Sequence, residues 1–159
     1  MKNFPQLFIV LLSLIVMSSC SNQTVFENSV KFGNEGWNRF TKLAFDFEIK
    51  DADKRYDIYI DVKVTDNYRE QYLPLYLKAD YSNGEIRSEK YSIKIKDNYN
   101  RFLKEQKDGY RQYSECIQKG KKFSKEGKYQ YEFEHGTSQL VLSEIDEINF
   151  RIVKSDITD

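Results

Sequence analysis

An all-β fold, an antiparallel β-sandwich of jelly-roll or immunoglobulin-like type, is predicted by three features of this sequence. Apolar and polar side chains alternate with a period of two over several separate stretches, the signature of half-buried strands. Twelve Tyr and eleven Phe among 159 residues favour pleated surfaces over helices. Gly, Asn, Asp and Ser punctuate the stretches at the short intervals usual in sandwiches, and no long amphipathic helical pattern occurs. A closed barrel is the alternative way to arrange the same strands.

The first 19 residues read as a lipoprotein signal peptide. Lys2 supplies a positive start, and Leu7 to Val16 form an apolar stretch broken only by Ser13. That stretch falls short of the about 20 residues a membrane span needs but suits a signal-peptide core. Met17, Ser18 and Ser19 then lead to Cys20 in the pattern of a lipobox, with Met17 where Leu is more usual. Small residues let the backbone lie extended in a peptidase groove. The thiol accepts a diacylglycerol, and the amino group freed by cleavage accepts a further acyl chain. Two or three chains hold firmly where one binds marginally. Residues 20–24 are then a lipidated tether, 25–154 a single sandwich domain and 155–159 a C-terminal tail.

The strands follow in order. Leu43, Phe45, Phe47 and Ile49 alternate with Ala44, Asp46 and Glu48 up to the turn Asp51-Ala52-Asp53. Tyr56, Ile58, Ile60, Val62 and Val64 make the cleanest strand, with Asp57, Tyr59, Asp61 and Lys63 on its polar face. Leu73, Leu75, Leu77, Ala79 and Tyr81 form the next, and Pro74, lacking a backbone donor, marks its beginning or an edge. Asn83-Gly84 suits a type I′ hairpin returning through Glu85–Ile95. Residues 97–109 break the alternation and read as a long loop pinned by Tyr99, Phe102 and Leu103, with room for one helical turn. A strand over Tyr110–Ile117 leads to a basic turn around Gly120. The strand after Gly127 carries Tyr129, Tyr131 and Phe133 and ends at His135-Gly136. Leu140, Val141 and Leu142 form a connection to the last strand, marked by Ile148, Phe150 and Ile152.

Charge and chemistry narrow the function. Bases and acids balance at 25 each, and removing residues 1–19 takes away only Lys2. Nucleic-acid binding needs clustered surplus Lys and Arg, so no nucleic-acid partner is expected. The densest basic run, Lys119, Lys121 and Lys122, is flanked by Glu115 and Glu126. The single histidine, His135, excludes a His-rich metal site, and no phosphate-loop, dinucleotide, nucleophile-elbow or zinc-protease motif occurs. The carboxylates of Asp51, Asp53, Asp57, Asp61, Glu144, Asp146 and Glu147 could in principle serve a glycosidase. Their strand-face and turn positions read instead as solvated surface. With Cys20 acylated, Cys116 has no intrachain disulfide partner and reads as a small buried hydrophobe. His135 reads as a surface turn residue. No catalytic residue, metal or cofactor is expected. Trp37, in Gly36-Trp37-Asn38-Arg39-Phe40, reads as a plug at one end of the sandwich or as a stacking platform. Tyr59 and Tyr76 sit on polar strand faces and join it as candidate ligand or partner contacts.

With these elements in place, the chain resembles the GldH family of gliding-motility lipoproteins of Bacteroidetes. The landmarks run in order from Val25-Phe26-Glu27 and Trp37 through Phe45-Asp46-Phe47-Glu48-Ile49, Tyr56-Asp57-Ile58-Tyr59-Ile60 and Thr65-Asp66-Asn67-Tyr68. Leu75-Tyr76-Leu77, Phe123, Gly127-Lys128-Tyr129, Phe133-Glu134, Ile145, Ile148 and Arg151-Ile152 complete them. One departure is Arg101-Phe102-Leu103-Lys104-Glu105-Gln106-Lys107, where relatives are Gly-rich. The resemblance implies a non-enzymatic accessory lipoprotein of the gliding apparatus, linked to type IX secretion and in contact with other envelope proteins. Ser21 follows Cys20 with no nearby acid, which favours an outer-membrane lipoprotein facing the periplasm. The alternative is a carbohydrate- or small-ligand-binding envelope lipoprotein using Trp37, Tyr59 and Tyr76.

Overall fold

The computed structural model describes residues 24–81 and 84–157. The signal peptide, Cys20 and Asn83 of the hairpin lie outside the described residues. The strands are β1 (Thr24–Lys31), β2 (Trp37–Asn38), β3 (Leu43–Ile49), β4 (Arg55–Val64), β5 (Tyr72–Asp80) and β6 (Ile86–Lys94). β7 (Arg111–Lys122), β8 (Gly127–His135), β9 (Val141–Leu142) and β10 (Ile145–Lys154) complete them. A single 3₁₀ turn, Gly33–Glu35, is the only helical element among the described residues.

Two four-stranded antiparallel sheets form, ordered β1-β10-β4-β7 and β3-β8-β5-β6, with β2 and β9 as a small separate ribbon. The chain behaves as one long hairpin bent at the β5–β6 turn and rolled up. Among the eight long strands the first pairs with the last, the second with the seventh, the third with the sixth and the fourth with the fifth. This is the jelly-roll winding. The sandwich is therefore a jelly roll and not immunoglobulin-like, and neither sheet closes into a barrel.

The alternation read from sequence sets the layers. In β3 the odd-numbered residues Leu43 to Ile49 are buried and the even-numbered ones exposed. Tyr56, Ile58, Ile60, Val62 and Val64 of β4 line the facing side. Phe150 of β10, fully buried, stands at the centre of the core. Its ring centroid lies 5.1 Å from Phe45, 5.6 Å from Phe133, 5.7 Å from Tyr131, 5.8 Å from Phe47 and 5.9 Å from Phe26. Tilted and edge contacts at these spacings are the favoured aromatic geometry.

Several expectations need correction. β1 already includes Thr24, assigned to the tether by sequence, and the strand went unread because its mostly exposed residues do not alternate. Gly120 is not at a turn: it sits inside β7 at φ +61°, where the register with β4 shifts. There its N–H donates to Asp57 Oδ1 at 2.7 Å, and the turn follows at residues 123–126. Val141–Leu142 is a strand paired with Trp37–Asn38, because the connection is drawn back against the Trp37 loop.

The long loop contains no helical turn. Of its three proposed pins only Phe102 packs on the core, while Tyr99 is 80% and Leu103 47% exposed. The loop is held by Asp97, whose carboxylate accepts from the backbone N–H groups of Tyr99 and Arg101, both at 2.9 Å, and from Arg101 Nε at 2.8 Å. These local bonds hold Asp97 below its usual carboxylate range. Pro74 lies near the start of β5, an inner strand, just beyond the point where β8 has ended at His135.

Truncating Phe150 to Ala removes the ring shared by both sheets, and should cost about 3–5 kcal/mol. A urea midpoint for this variant within error of the parent's would show that the inter-sheet layer does not depend on this ring.

Candidate functional site

The rolled hairpin gives the sandwich two distinct ends. At one, β1 begins opposite Val153 near the end of β10, β4 begins at Arg55, and β7 ends at Lys122. The β3–β4, β5–β6 and β7–β8 turns and residues 155–157 gather there. At the other end lie the Trp37 loop, residues 65–71, the long 95–110 connection and the 136–144 segment.

Trp37 fills that second end. It is fully buried, stacks on Phe32 at 5.5 Å and 11°, and meets the His135 ring edge-on at 5.2 Å. Its Nε1–H donates to the Thr41 carbonyl at 2.9 Å. Gly36 makes this close packing feasible: its φ is +67°, and a Cβ there would come within 2.8 Å of the Leu142 carbonyl oxygen and Ser143 Cα. The ring is thus enclosed and has no free face for a ligand.

His135 is buried as well, 2% exposed, and is not the surface turn residue expected. It continues the inward phase of Tyr129, Tyr131 and Phe133 in β8. Nε2 donates to the Trp37 carbonyl at 3.2 Å, which leaves Nδ1 to accept from the Thr137 hydroxyl at 3.0 Å. Burial pushes its pKa down, against an upward pull from the Trp37 carbonyl.

Tyr59 and Tyr76 do not meet. β4 and β5 belong to different sheets, so the two rings lie on opposite outer faces of the sandwich. The Arg151 guanidinium lies over the Tyr59 ring, 4.2 Å from its centroid. Arg151 Nε donates to Asp61 Oδ2 at 2.7 Å and Nη2 to Ser114 Oγ at 3.0 Å. Asn149 bridges from Asp61, at 3.2 Å, to Glu27, at 2.9 Å. The pair with Asp61 raises the pKa of Arg151. One polar network therefore spans β1, β10, β4 and β7. On the other face, Tyr76 lies across Gly136, where a Cβ would fall 2.6 Å from the ring, and Lys90 Nζ stands 5.5 Å from the Tyr76 centroid.

The remaining candidates are dispersed. Cys116 faces outward beside Tyr59, and burial pushes its thiol pKa up. His135 lies between the sheets in the other layer, so the two form no nucleophile–base pair. Asp51 caps its own turn through Asp53 N–H at 3.1 Å, and Glu147 pairs with Lys63 at 2.6 Å. Among the described residues no group of three His, Cys, Asp or Glu is placed to hold a metal. Sequence reading missed the Arg151–Asp61–Tyr59 cluster, although all three occupy the polar phase of their strands. What was lacking was the knowledge that β10 and β4 are neighbours.

The described residues define the class as a small all-β jelly-roll domain with tied-down polar faces. The chain belongs to the GldH lipoprotein family, whose model matches residues 24–152. It is 23% identical to the gliding motility lipoprotein GldH homolog of Christiangramia forsetii, over 98% of this chain and 99% of that protein. With the gliding motility lipoprotein GldH of Flavobacterium johnsoniae it shares 28% identity over 60 residues, 38% of this chain and 37% of that one. A crystal structure of Yersinia pseudotuberculosis-derived mitogen aligns over 84% of this chain and 86% of its own at a TM-score of 0.33 and 10% identity, too slight a likeness to bear on function.

Linkage at His135 predicts a pH dependence of stability. Unfolded, the ring gains a proton as pH falls through about 6.5, whereas the folded ring resists it. Its contribution is therefore fully present above that pH and declines as pH falls below it toward the lowered folded value. His135→Gln should flatten this part of the profile, read as urea midpoints between about pH 7.5 and 5. A parent profile already flat over that range would contradict the assignment.

Proposed function

We propose that this protein is a non-enzymatic accessory lipoprotein of the gliding motility machinery, linked to type IX secretion. It is held by acyl chains on Cys20 at the outer membrane and faces the periplasm. The observation that carries this reading is the match to the GldH lipoprotein family across nearly the whole jelly roll, residues 24–152. The position of Thr24 supports it. Four Cα-to-Cα steps lead from Cys20 to Thr24, a reach of at most about 14 Å, so the sandwich would sit close over its lipid with the tether end toward the bilayer.

The non-enzymatic reading is supported by how the reactive side chains are engaged. Asp57 and Asp61 accept hydrogen bonds from β7 and β10, His135 has both ring nitrogens bonded, and Cys116, on the outer face beside Tyr59, lies in a different layer from His135. The carbohydrate- or small-ligand-binding alternative needs a stacking platform. Trp37 is enclosed and Arg151 covers Tyr59, which leaves only Tyr76, 45% exposed, of the three rings open to a ligand.

In cells, Cys20→Ala should abolish palmitate labelling and move the protein from the membrane to the soluble fraction. Deleting the gene in a gliding host should impair colony spreading or type IX cargo export. Normal spreading and export after a clean deletion would remove the machinery role, and digestion by protease added to whole cells would place the domain outside.

A further inference from the structure

At the Trp37 end lies a cleft of about 600 Å³ whose walls include Asn34, Asn67, Arg69, Tyr110, Glu144 and Asp146. Backbone bonds fix those walls. Thr65 N–H donates to the Glu144 carbonyl at 2.9 Å, Tyr68 N–H to the Thr65 carbonyl at 3.2 Å, and Phe32 N–H to the Asp146 carbonyl at 2.9 Å. A β-bulge aims one of the carboxylates. The register of β10 with β4 steps from Ile145 opposite Val64 to Glu147 opposite Lys63, so Asp146 is skipped in the ladder. Asp146 shares the even-numbered phase of Ile148 and Phe150, which are fully buried; the bulge turns it aside to line the cleft. Lys63, whose field reaches Asp146, is held by Glu147 at 2.6 Å. Glu144 carries the second signal. Its Oε2 is sealed from water with no hydrogen-bond partner, the only such side-chain atom among the described residues. A carboxylate left in that state is destabilising by itself and calls for a positive partner. Arg69 lines the same cleft, yet among the described residues no ion pair joins it to Glu144 or Asp146.

We propose that this cleft binds a small zwitterion, an amino acid or short peptide, with its ammonium group against Glu144 and Asp146 and its carboxylate on Arg69. The charges choose the class. A simple anion would face two carboxylates, and a metal ion or simple amine would have Arg69 beside it as a repelling charge. An uncharged sugar would leave all three groups unmatched. A ligand with both charges matches the two carboxylates and the guanidinium at once, through charge-assisted hydrogen bonds, the stronger kind. Asn34 and Asn67 add amides that both donate and accept, and the exposed Tyr110 ring supplies an apolar wall. A volume of about 600 Å³ falls within the span of small-ligand sites. The site stands wholly on described residues and is independent of lipid attachment. It is also separate from Trp37, Tyr59 and Tyr76, none of which lines it.

The test uses the full-length protein purified in detergent, with the standard amino acids, dialanine and trialanine as probes, read by titration calorimetry and by melting temperature. The peptides hold their charged ends farther apart than the amino acids do, so the series separates the two sources. At least one probe should bind and raise the melting temperature. Its N-acetylated and C-amidated forms should each bind roughly tenfold more weakly or worse. Glu144→Gln should lose affinity to the same degree while melting no lower than the parent without ligand, because the stranded charge is gone. Arg69→Gln, at an exposed position, should lose it too with stability unchanged. No binding by any probe at millimolar concentration, or blocked ends that bind as well as free ones, would overturn the site. A response to Ca²⁺ alone that Glu144→Gln removes would replace the zwitterion with a metal. A Glu144→Gln variant that melts lower yet binds as before would reduce Glu144 to a structural role and equally refute the assignment.

Discussion

The two sheets are held face to face by a shared aromatic layer with Phe150 at its centre. Phe45 and Phe47 from β3 and Tyr131 and Phe133 from β8 reach it from one sheet, and Phe26 flanks it within its own sheet from β1. Cys116 is a free thiol, so stability depends on burial in this core. Tyrosines take part without leaving hydroxyls stranded. Tyr131 donates to Gln118 Oε1 at 3.1 Å, and Tyr113 donates to the Ile95 carbonyl at 2.9 Å. Burial accordingly raises the phenol pKa of both.

From that layer follows the polarity of the molecule along its length. Because β1 pairs with β10, the start of the first strand at Thr24 lies beside Val153 near the end of the last. The Trp37 loop is thereby sent to the far end, where β9 and His135 complete its packing. The start of β1 and the Trp37 loop lie at opposite ends as a consequence of one winding. The outer face of β1-β10-β4-β7 is tied together by Arg151, Asp61, Asn149 and Glu27.

Such an arrangement agrees with a family whose name carries lipid attachment and gliding motility. The polar residues of this chain lie mainly on strand faces and in turns, while His135 and Thr137 are sealed in at the Trp37 end.

Much of this was legible in the sequence because alternation is a local property. The inward rows of β3, β4 and β8 follow directly from residues two apart, and that pattern fixes which face of each strand is buried. Sequence order likewise placed Trp37 in a loop before the first strong strand. What it could not supply was pairing between distant strands. β1 has no clear alternation and becomes a strand only because β10 offers its edge; β9 exists only because Trp37–Asn38 lies alongside. His135 looked like a turn residue until the Trp37 carbonyl and Thr137 were seen to satisfy its ring. Tyr59 and Tyr76 were both legible as polar-face residues, but only the winding put their strands in different sheets. Local side-chain periodicity determined the layers, whereas long-range hydrogen bonding decided which strands met, which polar groups were sealed in, and which apolar ones stayed in water.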